Sequence, residues 1–127
     1  MTGVQTCALP IFAFIRRCHF ADMHIFPYSI RTGTPAAKME QIPRHIKEER
    51  AARAAQVAQE MHREYLEGCV GQVYPVLYEQ SYDGLYHGHS PNYMVVAVEG
   101  EDLHNKVLPT RILGVRDGLL MGEIVKE

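Results

Sequence analysis

The sequence has no apolar run that approaches the roughly 20 residues needed to cross a bilayer, so it contains nothing that predicts a membrane protein. Cysteine is also scarce, with three in 127 residues. Cys7 stands in an unusual N-terminal string, which leaves Cys18 and Cys69 far apart in the chain. Two cysteines that are far apart in the chain are typical of a protein in a reducing compartment, where free cysteines act as small buried apolar side chains. We therefore expect a cytoplasmic protein, and a disulfide between them is poorly supported.

Basic residues are few in the C-terminal half. Residues 12–69 carry nine Lys+Arg against seven Asp+Glu, whereas residues 70–127 carry four against eight, a balance of −4. The C-terminal half thus lacks the basic footprint expected of an autonomous nucleic-acid-binding domain.

Motifs for catalysis are missing as well. No phosphate-binding loop, dinucleotide fingerprint or Ser/His/Asp constellation stands out in the sequence. His87 and His89 occupy one face of a predicted strand, which is a start for a metal site. Such a site needs three or four ligands, and no cluster of Cys or His lies nearby in the sequence. We predict neither catalytic residues nor a metal site in this chain.

The first eleven residues, MTGVQTCALPI, have neither an N-cap followed by a periodic run nor the charge pattern of a secretory signal. Translation of the common short-read sequencing adapter, read with GTG as the start codon, gives the same string. We interpret residues 1–11 as adapter sequence fused to a truncated gene, and we expect them to be disordered or loosely docked. The alternative is a genuine N-terminal arm.

The next segment, residues 12–40, combines a helix end (AFIRRC), a short apolar strand closed by Pro27 (MHIFPYS) and a turn-rich loop (RTGTPAA). Helix, strand and loop in this order predict the last βα unit of an α/β domain.

A long helix is predicted over residues 41–68. Pro43 suits the first helical position, and Gly68 suits the residue just past the end. Spacings of three and four residues define an apolar stripe, which consists of Ala51, Ala54, Ala58, Met61 and Tyr65. We interpret this helix as a packing element that links two domains.

Residues 69–127 contain five short apolar segments separated by turn signals at Asp83-Gly84, Gly100 and Asp117-Gly118. Short, evenly spaced strands predict a small antiparallel barrel or sandwich.

The run MHIFPYSIRTGTPAAKM, followed by KEERAAR and later by GHSPNY, resembles the C-terminal end of the radical-SAM tRNA methylthiotransferases. The branch that acts on threonylcarbamoyladenosine beside the anticodon is the most similar. The resemblance implies an α+β fragment. It consists of the end of the radical-SAM barrel (12–40), a linking helix (41–68) and a five-stranded antiparallel, OB-like TRAM barrel that binds RNA (69–127).

The same resemblance implies the chemistry of the parent enzyme. Two 4Fe-4S clusters and S-adenosylmethionine convert a C–H bond of the modified adenosine into C–SCH3, and the missing N-terminal part carries the cluster-binding CxxxCxxC motif. The fragment by itself is then expected to be inactive. Its implied partner is the tRNA anticodon stem-loop, and we expect a monomer.

Three residues of the first segment are implied to lie near the cofactor or substrate, because barrel enzymes build their sites at the C-terminal ends of strands. These residues are Tyr28, Ser29 and Arg31. The alternative is that they only fix the loop.

Four residues of the barrel are candidates for RNA binding: three match the family motif, and the fourth, Arg111, is one of the few cations of the barrel. Tyr93 would stack on an unpaired base, Asn92 and His89 would form hydrogen bonds, and Arg111 would supply positive charge. The alternative for the GHSPNY residues is that they stabilise a turn.

Two further functions compete with this interpretation. One is a free-standing β-barrel that binds RNA or protein without catalysis. The other is a sister methylthiotransferase that acts on isopentenyladenosine in tRNA or on a ribosomal protein.

Overall fold

The computed structural model describes residues 2–126, and the side chains of residues 9–126. Met1 of the proposed adapter segment lies outside the described residues. The chain divides into an N-terminal unit, Met1–His62, and a barrel unit, Arg63–Glu127. Its elements are α1 (Thr2–Cys18), a 3-10 helix (Pro35–Lys38), α2 (Arg44–Cys69), β1 (Val73–Tyr82), β2 (Leu85–His89), β3 (Val95–Val98), β4 (Val107–Arg116) and β5 (Leu119–Ile124).

Residues 1–11 are expected to be disordered or loosely docked, and in the structure residues 2–11 are helical because α1 begins at Thr2. From residue 9 onwards, where side chains are described, Leu9 and Ile11 are both 55% exposed, and Phe12 is the first buried side chain. Extending an existing helix costs little because each added residue gains a hydrogen bond. A segment can therefore be helical without packing against the protein.

The core of the N-terminal unit joins the two helices. Phe12 and Ile15, three residues apart on α1, pack with Ala54, Val57 and Met61 of α2. Ala54 and Met61 of the predicted stripe are buried as expected, and Val57 is a buried member that the prediction missed. The predicted apolar face of α2 is therefore confirmed, but the buried face also includes Val57.

The strand predicted in MHIFPYS is wrong for this structure. Residues 23–29 belong to no strand, and Phe26 is 81% exposed. A strand needs a neighbour to satisfy its backbone hydrogen bonds, and no other strand of the N-terminal unit is found in the described part of the chain.

The long helix is confirmed, but both of its predicted ends shift. The Pro43 carbonyl accepts bonds from the N–H groups of Ile46 at 3.0 Å and Lys47 at 3.2 Å, so Pro43 precedes the helix. Gly68 lies inside α2. The left-handed residue after the helix is Gly71, with φ +90°, and its N–H donates to the Ile112 carbonyl at 2.8 Å. Entry into the barrel, and not Gly68, ends the helix.

The five-stranded barrel is confirmed. It is closed, in the order β1-β2-β3-β5-β4. Four strand pairs are antiparallel, and β3 pairs with β5 in parallel, so the predicted all-antiparallel sheet is wrong. Directions cannot alternate around a closed ring with an odd number of strands, so at least one neighbouring pair must be parallel.

Two predicted turns close hairpins of this barrel. Asp83-Gly84 and Asp117-Gly118 both have positive φ at each residue, 53° and 78° in the first and 50° and 78° in the second. Two consecutive positive φ values define the type I′ turn that suits the twist of a two-residue hairpin.

The interior of the barrel is apolar and closely packed. Tyr78 is fully buried, its hydroxyl hydrogen-bonds to Thr110 Oγ1, and burial raises the pKa of the phenol. Gly88 faces this interior, where a Cβ would lie 2.2 Å from the carbonyl oxygen of Leu77. The other interior side chains with under 2% exposure include Val76, Val96, Val98, Ile112 and Leu120.

Candidate nucleic-acid interface

The GHSPNY segment forms a tight turn between β2 and β3. The Ser90 N–H donates to the Met94 carbonyl at 3.0 Å, and the Tyr93 N–H donates to the Ser90 carbonyl at 2.9 Å. The Met94 N–H also donates to Ser90 Oγ at 3.2 Å. These bonds tie the two ends of the turn together, which makes it a rigid support for the backbone of its last residue.

Tyr93 is that residue. Its φ is 66°, a left-handed conformation that is uncommon for a bulky side chain, and its side chain is 85% exposed. Strained backbone in a folded protein persists where the surrounding structure imposes it, and it clusters at binding sites. The turn holds a large aromatic ring in solvent, where its faces are open to an unpaired base.

Asn92 points the other way, towards the protein. Its amide Nδ2 donates to the Tyr65 hydroxyl at 2.9 Å and approaches Cys69 Sγ at 3.8 Å. Its Oδ1 accepts a hydrogen bond from Ser90 Oγ. Because both ends of the amide are engaged within the barrel unit, the geometry favours the turn-stabilising role for Asn92.

A small cluster of phenols and a thiol anchors this amide. Tyr65 and Cys69 are four residues apart, so they share one face of α2, and Tyr74 of β1 lies against them. Burial, then the hydrogen bond and charge of Cys69, raises the pKa of Tyr74 to about 12, while the Asn92 amide opposes the shift. The Tyr65–Cys69 spacing was the available sequence signal, but the partners from β1 and the turn were not predictable.

His89 ends β2, directly before the turn. Its Nδ1 lies 3.8 Å from Glu79 Oε1, and both side chains are about half exposed. An exposed pair of this kind contributes little to stability. Because the His89 side chain is about half exposed, its ring is accessible from solvent next to the turn.

Arg111 is placed apart from the turn in the strand order. It lies on β4, which pairs with β1 and β5 and not with β2 or β3. Its guanidinium lies 3.6 Å from Glu123 Oε1 on the outer face.

Arg116 is a cation that sequence reasoning did not single out. It closes the β4–β5 hairpin opposite Leu119, and Leu120 pairs with Val96 next to the GHSPNY turn. The register therefore places Arg116 at the same end of the barrel as Tyr93.

The charges of the barrel are separated along the chain. Residues 70–105 contain five carboxylates and no Lys or Arg. All four cations of the barrel follow, namely Lys106, Arg111, Arg116 and Lys126. Any Lys or Arg contacts to phosphate from residues 70–127 therefore come from the part of the chain that begins at Lys106.

The three candidates in the N-terminal unit, Tyr28, Ser29 and Arg31, are exposed in one irregular segment. Lys47 Nζ lies 3.4 Å from the Tyr28 carbonyl oxygen and 5.3 Å from the centre of its ring. The Arg31 carbonyl accepts a bond from Thr34 Oγ1 at 2.7 Å. None of the three lines the groove of about 350 Å³ in this unit, which is formed by residues 22–26 together with Ala55, Ala58, Gln59 and His62.

A 4Fe-4S cluster would need three cysteine thiolates. Cys18 and Cys69 belong to different units, and Cys69 is buried. Within residues 9–126, where side chains are described, no three His, Cys, Asp or Glu residues are grouped to hold a metal ion. The described residues thus do not fit the cluster.

Among the described helices, none combines the length and the apolar character that a membrane-spanning helix needs.

Comparison with known proteins finds no matching family model, but it finds curated relatives of three kinds. Over 107 residues the chain is 35% identical to a threonylcarbamoyladenosine tRNA methylthiotransferase of Bacillus subtilis, a match that covers 79% of the chain and 24% of the relative. It is 34% identical to a tRNA-2-methylthio-N(6)-dimethylallyladenosine synthase of Acetivibrio thermocellus, with 88% and 24% covered.

The third kind is a ribosomal protein uS12 methylthiotransferase of Synechococcus, 34% identical, with 89% of the chain and 26% of the relative covered. The chain spans about a quarter of the length of the curated relatives it matches.

Proposed function

Because the chain is homologous to the C-terminal region of the radical-SAM methylthiotransferases, we propose that it is the C-terminal part of a tRNA methylthiotransferase. The proposed substrate is threonylcarbamoyladenosine next to the anticodon, and the proposed compartment is the cytoplasm. The Bacillus subtilis relative, which is named for that substrate, supports the choice of branch. Relatives with other substrates have similar identities, so the branch is the finer part of the proposal.

Within this enzyme, the barrel contributes tRNA binding. The observation that carries this role is Tyr93, an 85% exposed aromatic ring on a rigid turn. Unpaired bases in RNA loops stack on such rings, and stacking contributes about 1–3 kcal/mol per base. The backbone of Tyr93 is already fixed by the turn, so binding of a base need not order that part of the chain.

We expect the isolated chain to bind RNA weakly. Phosphate contacts dominate nucleic-acid affinity, and residues 70–127 carry only four cations against eight carboxylates. A short tether to a catalytic domain raises the effective concentration to the millimolar range. A weak module therefore still matters in the parent enzyme.

The chemistry belongs to the part of the relatives that this chain does not span. In the proposal, residues 12–40 complete the catalytic barrel and residues 41–68 link it to the RNA-binding barrel. The clusters and S-adenosylmethionine are held elsewhere in the parent, so the chain should take up no iron after anaerobic reconstitution. Stoichiometric iron retained after desalting would contradict this assignment.

The decisive experiment removes the barrel from a full-length relative, at the position that matches Val70 here. Binding of tRNA and reductive cleavage of S-adenosylmethionine are then measured separately. We expect tRNA affinity to fall at least about tenfold, which is about 1.4 kcal/mol, while cleavage of the cofactor persists. Unchanged tRNA affinity would leave the barrel as a structural cap.

The substrate branch has its own test. A strain that lacks its native methylthiotransferases is supplied with the full-length parent gene, and its tRNA nucleosides are analysed by mass spectrometry. The proposal predicts a methylthio group on threonylcarbamoyladenosine. A methylthio group on dimethylallyladenosine, or on a protein and not on tRNA, would assign the parent to a sister branch.

A further inference from the structure

A second aromatic feature lies on the outer face of β1 and β2, apart from the GHSPNY turn. The rings of Tyr82 and His87 are stacked, with their centres 3.7 Å apart and their planes 15° from parallel. In the register, Tyr82 pairs with Leu85 and Gln80 pairs with His87. The two rings are therefore diagonal neighbours on one face of the sheet. Aromatic side chains are long enough to contact each other across such a diagonal.

His87 serves as the backing of this pair. It is only 8% exposed, and neither ring nitrogen has a hydrogen-bond partner among the described residues. Its cross-strand neighbour on β3 is the small residue Ala97, which leaves room for the imidazole to lie flat. Tyr82 rests on this ring and remains 50% exposed, so one face of the phenol is covered and the other is open.

The strands that carry this pair have an acidic balance. Asp83 follows Tyr82 directly in the chain. Glu99 directly follows β3, whose last residue, Val98, pairs with Tyr86 of β2. Strands β1, β2 and β3 contain no Lys or Arg, and the whole stretch 70–105 carries five carboxylates.

We propose that the open face of Tyr82, backed by His87, binds an arginine side chain of a protein partner. A guanidinium is planar, stacks on an aromatic face and pairs with carboxylates. Asp83, next to Tyr82 in the chain, and Glu99, directly after β3, are the carboxylates that such a guanidinium would pair with. An RNA base fits this place less well, because strands β1, β2 and β3 carry no Lys or Arg to pair with its phosphates.

The chain already contains cations over aromatic rings within its N-terminal unit. The Arg53 guanidinium lies 5.0 Å from the centre of the Phe12 ring, and Lys47 Nζ lies 5.3 Å from that of Tyr28. Tyr82 has the same kind of face, and no Lys or Arg of the described residues lies over it. This site does not depend on the RNA-binding role proposed above, because Tyr82 and Tyr93 lie beyond opposite ends of β2.

The test titrates the complete 127-residue chain with a fluorescent arginine–serine repeat peptide. The same peptide with citrulline, which keeps the shape but removes the charge, is the ligand control. We expect Tyr82→Ala to weaken binding of the arginine peptide about threefold, the size expected of a cation–π contact at an exposed site. Tyr82→Phe, which keeps the ring, should bind like the parent chain, and the citrulline peptide should bind much more weakly.

Three variants separate the parts of the site. Glu99→Gln should weaken arginine binding and reduce its salt dependence, since it removes one carboxylate. His87→Phe should preserve binding and His87→Ala should weaken it, because His87 acts by positioning Tyr82. Thermal unfolding of each variant tests whether the barrel remains folded.

Tyr93→Ala is the matched control for an exposed tyrosine, and it should leave peptide binding unchanged. Absence of arginine-peptide binding by the parent chain would overturn the proposal, as would equal affinity in a folded Tyr82→Ala variant. If Tyr82→Ala instead weakens the binding of single-stranded RNA and not of the peptide, the ring is a base-stacking site and the proposal is wrong.

Discussion

Replacing Asn92 with alanine tests whether this residue holds the GHSPNY turn or binds RNA. The substitution removes the donor to the Tyr65 hydroxyl at 2.9 Å and the contact with Cys69 Sγ at 3.8 Å, and Ser90 Oγ loses its Oδ1 acceptor. A hydrogen bond contributes about 0.5–1.5 kcal/mol net, and a buried polar group left without a partner costs about 1–3 kcal/mol. The affected atoms are only partly buried, so water replaces some of the lost bonds. We expect the free energy of unfolding to fall by about 2 kcal/mol.

Tyr93→Ala is the comparison for this variant. Its ring is 85% exposed, so its removal should change the free energy of unfolding by less than about 0.5 kcal/mol. If the ring stacks on a base, RNA affinity should fall at least about fivefold, because stacking contributes about 1–3 kcal/mol. Tyr93→Phe should retain most of that affinity.

Urea denaturation, followed by circular dichroism, measures the stability of each variant. Fluorescence anisotropy with a labelled anticodon stem-loop measures affinity, below the unfolding midpoint of Asn92→Ala. The predicted pattern is a loss of stability for Asn92→Ala and a loss of affinity for Tyr93→Ala. Parent-like stability in Asn92→Ala together with lost RNA affinity would refute the reasoning, because the amide would then serve RNA and not the turn.

Three further perturbations test the fold. Gly68→Ala should raise the free energy of unfolding by about 0.5–1 kcal/mol, since this glycine lies inside α2 with open space around it. Gly71→Ala should lower the free energy of unfolding, because Gly71 has a φ of +90°. If urea denaturation gave the reverse ranking, the helix would end at Gly68. Gly88→Ala should lower the free energy of unfolding by about 1–3 kcal/mol, because the new Cβ would lie 2.2 Å from a carbonyl oxygen. Gly114→Ala should lower it much less, because a Cβ there would have no atom within 4 Å. Similar melting temperatures of the two variants would contradict the packing of the barrel. The folded pKa of Tyr74, about 12, exceeds its ordinary value of 10.0, so the unfolded chain loses this proton first and stability should fall as the pH rises from 10 towards 12. Tyr74→Phe should make that fall shallower in urea titrations at each pH, and an identical fall would argue against the assignment.

Local chemistry accounts for the elements that were predicted well. The periodic apolar residues of α2 specify a helix, because positions three and four apart share a face. Asp83-Gly84 and Asp117-Gly118 adopt positive φ at both residues, as hairpin turns of two residues require. Such patterns depend on neighbours within a few positions, so the sequence alone was sufficient for them.

The predicted RNA-binding residues were only partly resolved by sequence. Motif resemblance placed Asn92 and Tyr93 side by side without a difference in role. The structure separates them, since the Asn92 amide turns inward to Tyr65 and the Tyr93 ring turns outward. The left-handed φ of Tyr93 and the contact of Asn92 with Tyr65 are features that the GHSPNY motif does not predict.

The sequence by itself determined the long helix, the turns and the presence of five strand segments. Each of these follows from a pattern of residues close together along the chain. Only the tertiary structure decided which strands pair, where α2 ends and which side chains meet. The parallel β3–β5 pair arises from closing five strands into a ring. The helix ends where the Gly71 N–H finds the Ile112 carbonyl, and the Tyr82–His87 stack forms because a hairpin register brings two rings to one face. The β3–β5 pair and the Gly71–Ile112 bond join residues far apart in the sequence, so no local pattern predicts them. Tyr82 and His87 are close in the sequence, but their stacking depends on the strand register, which a residue pattern does not specify.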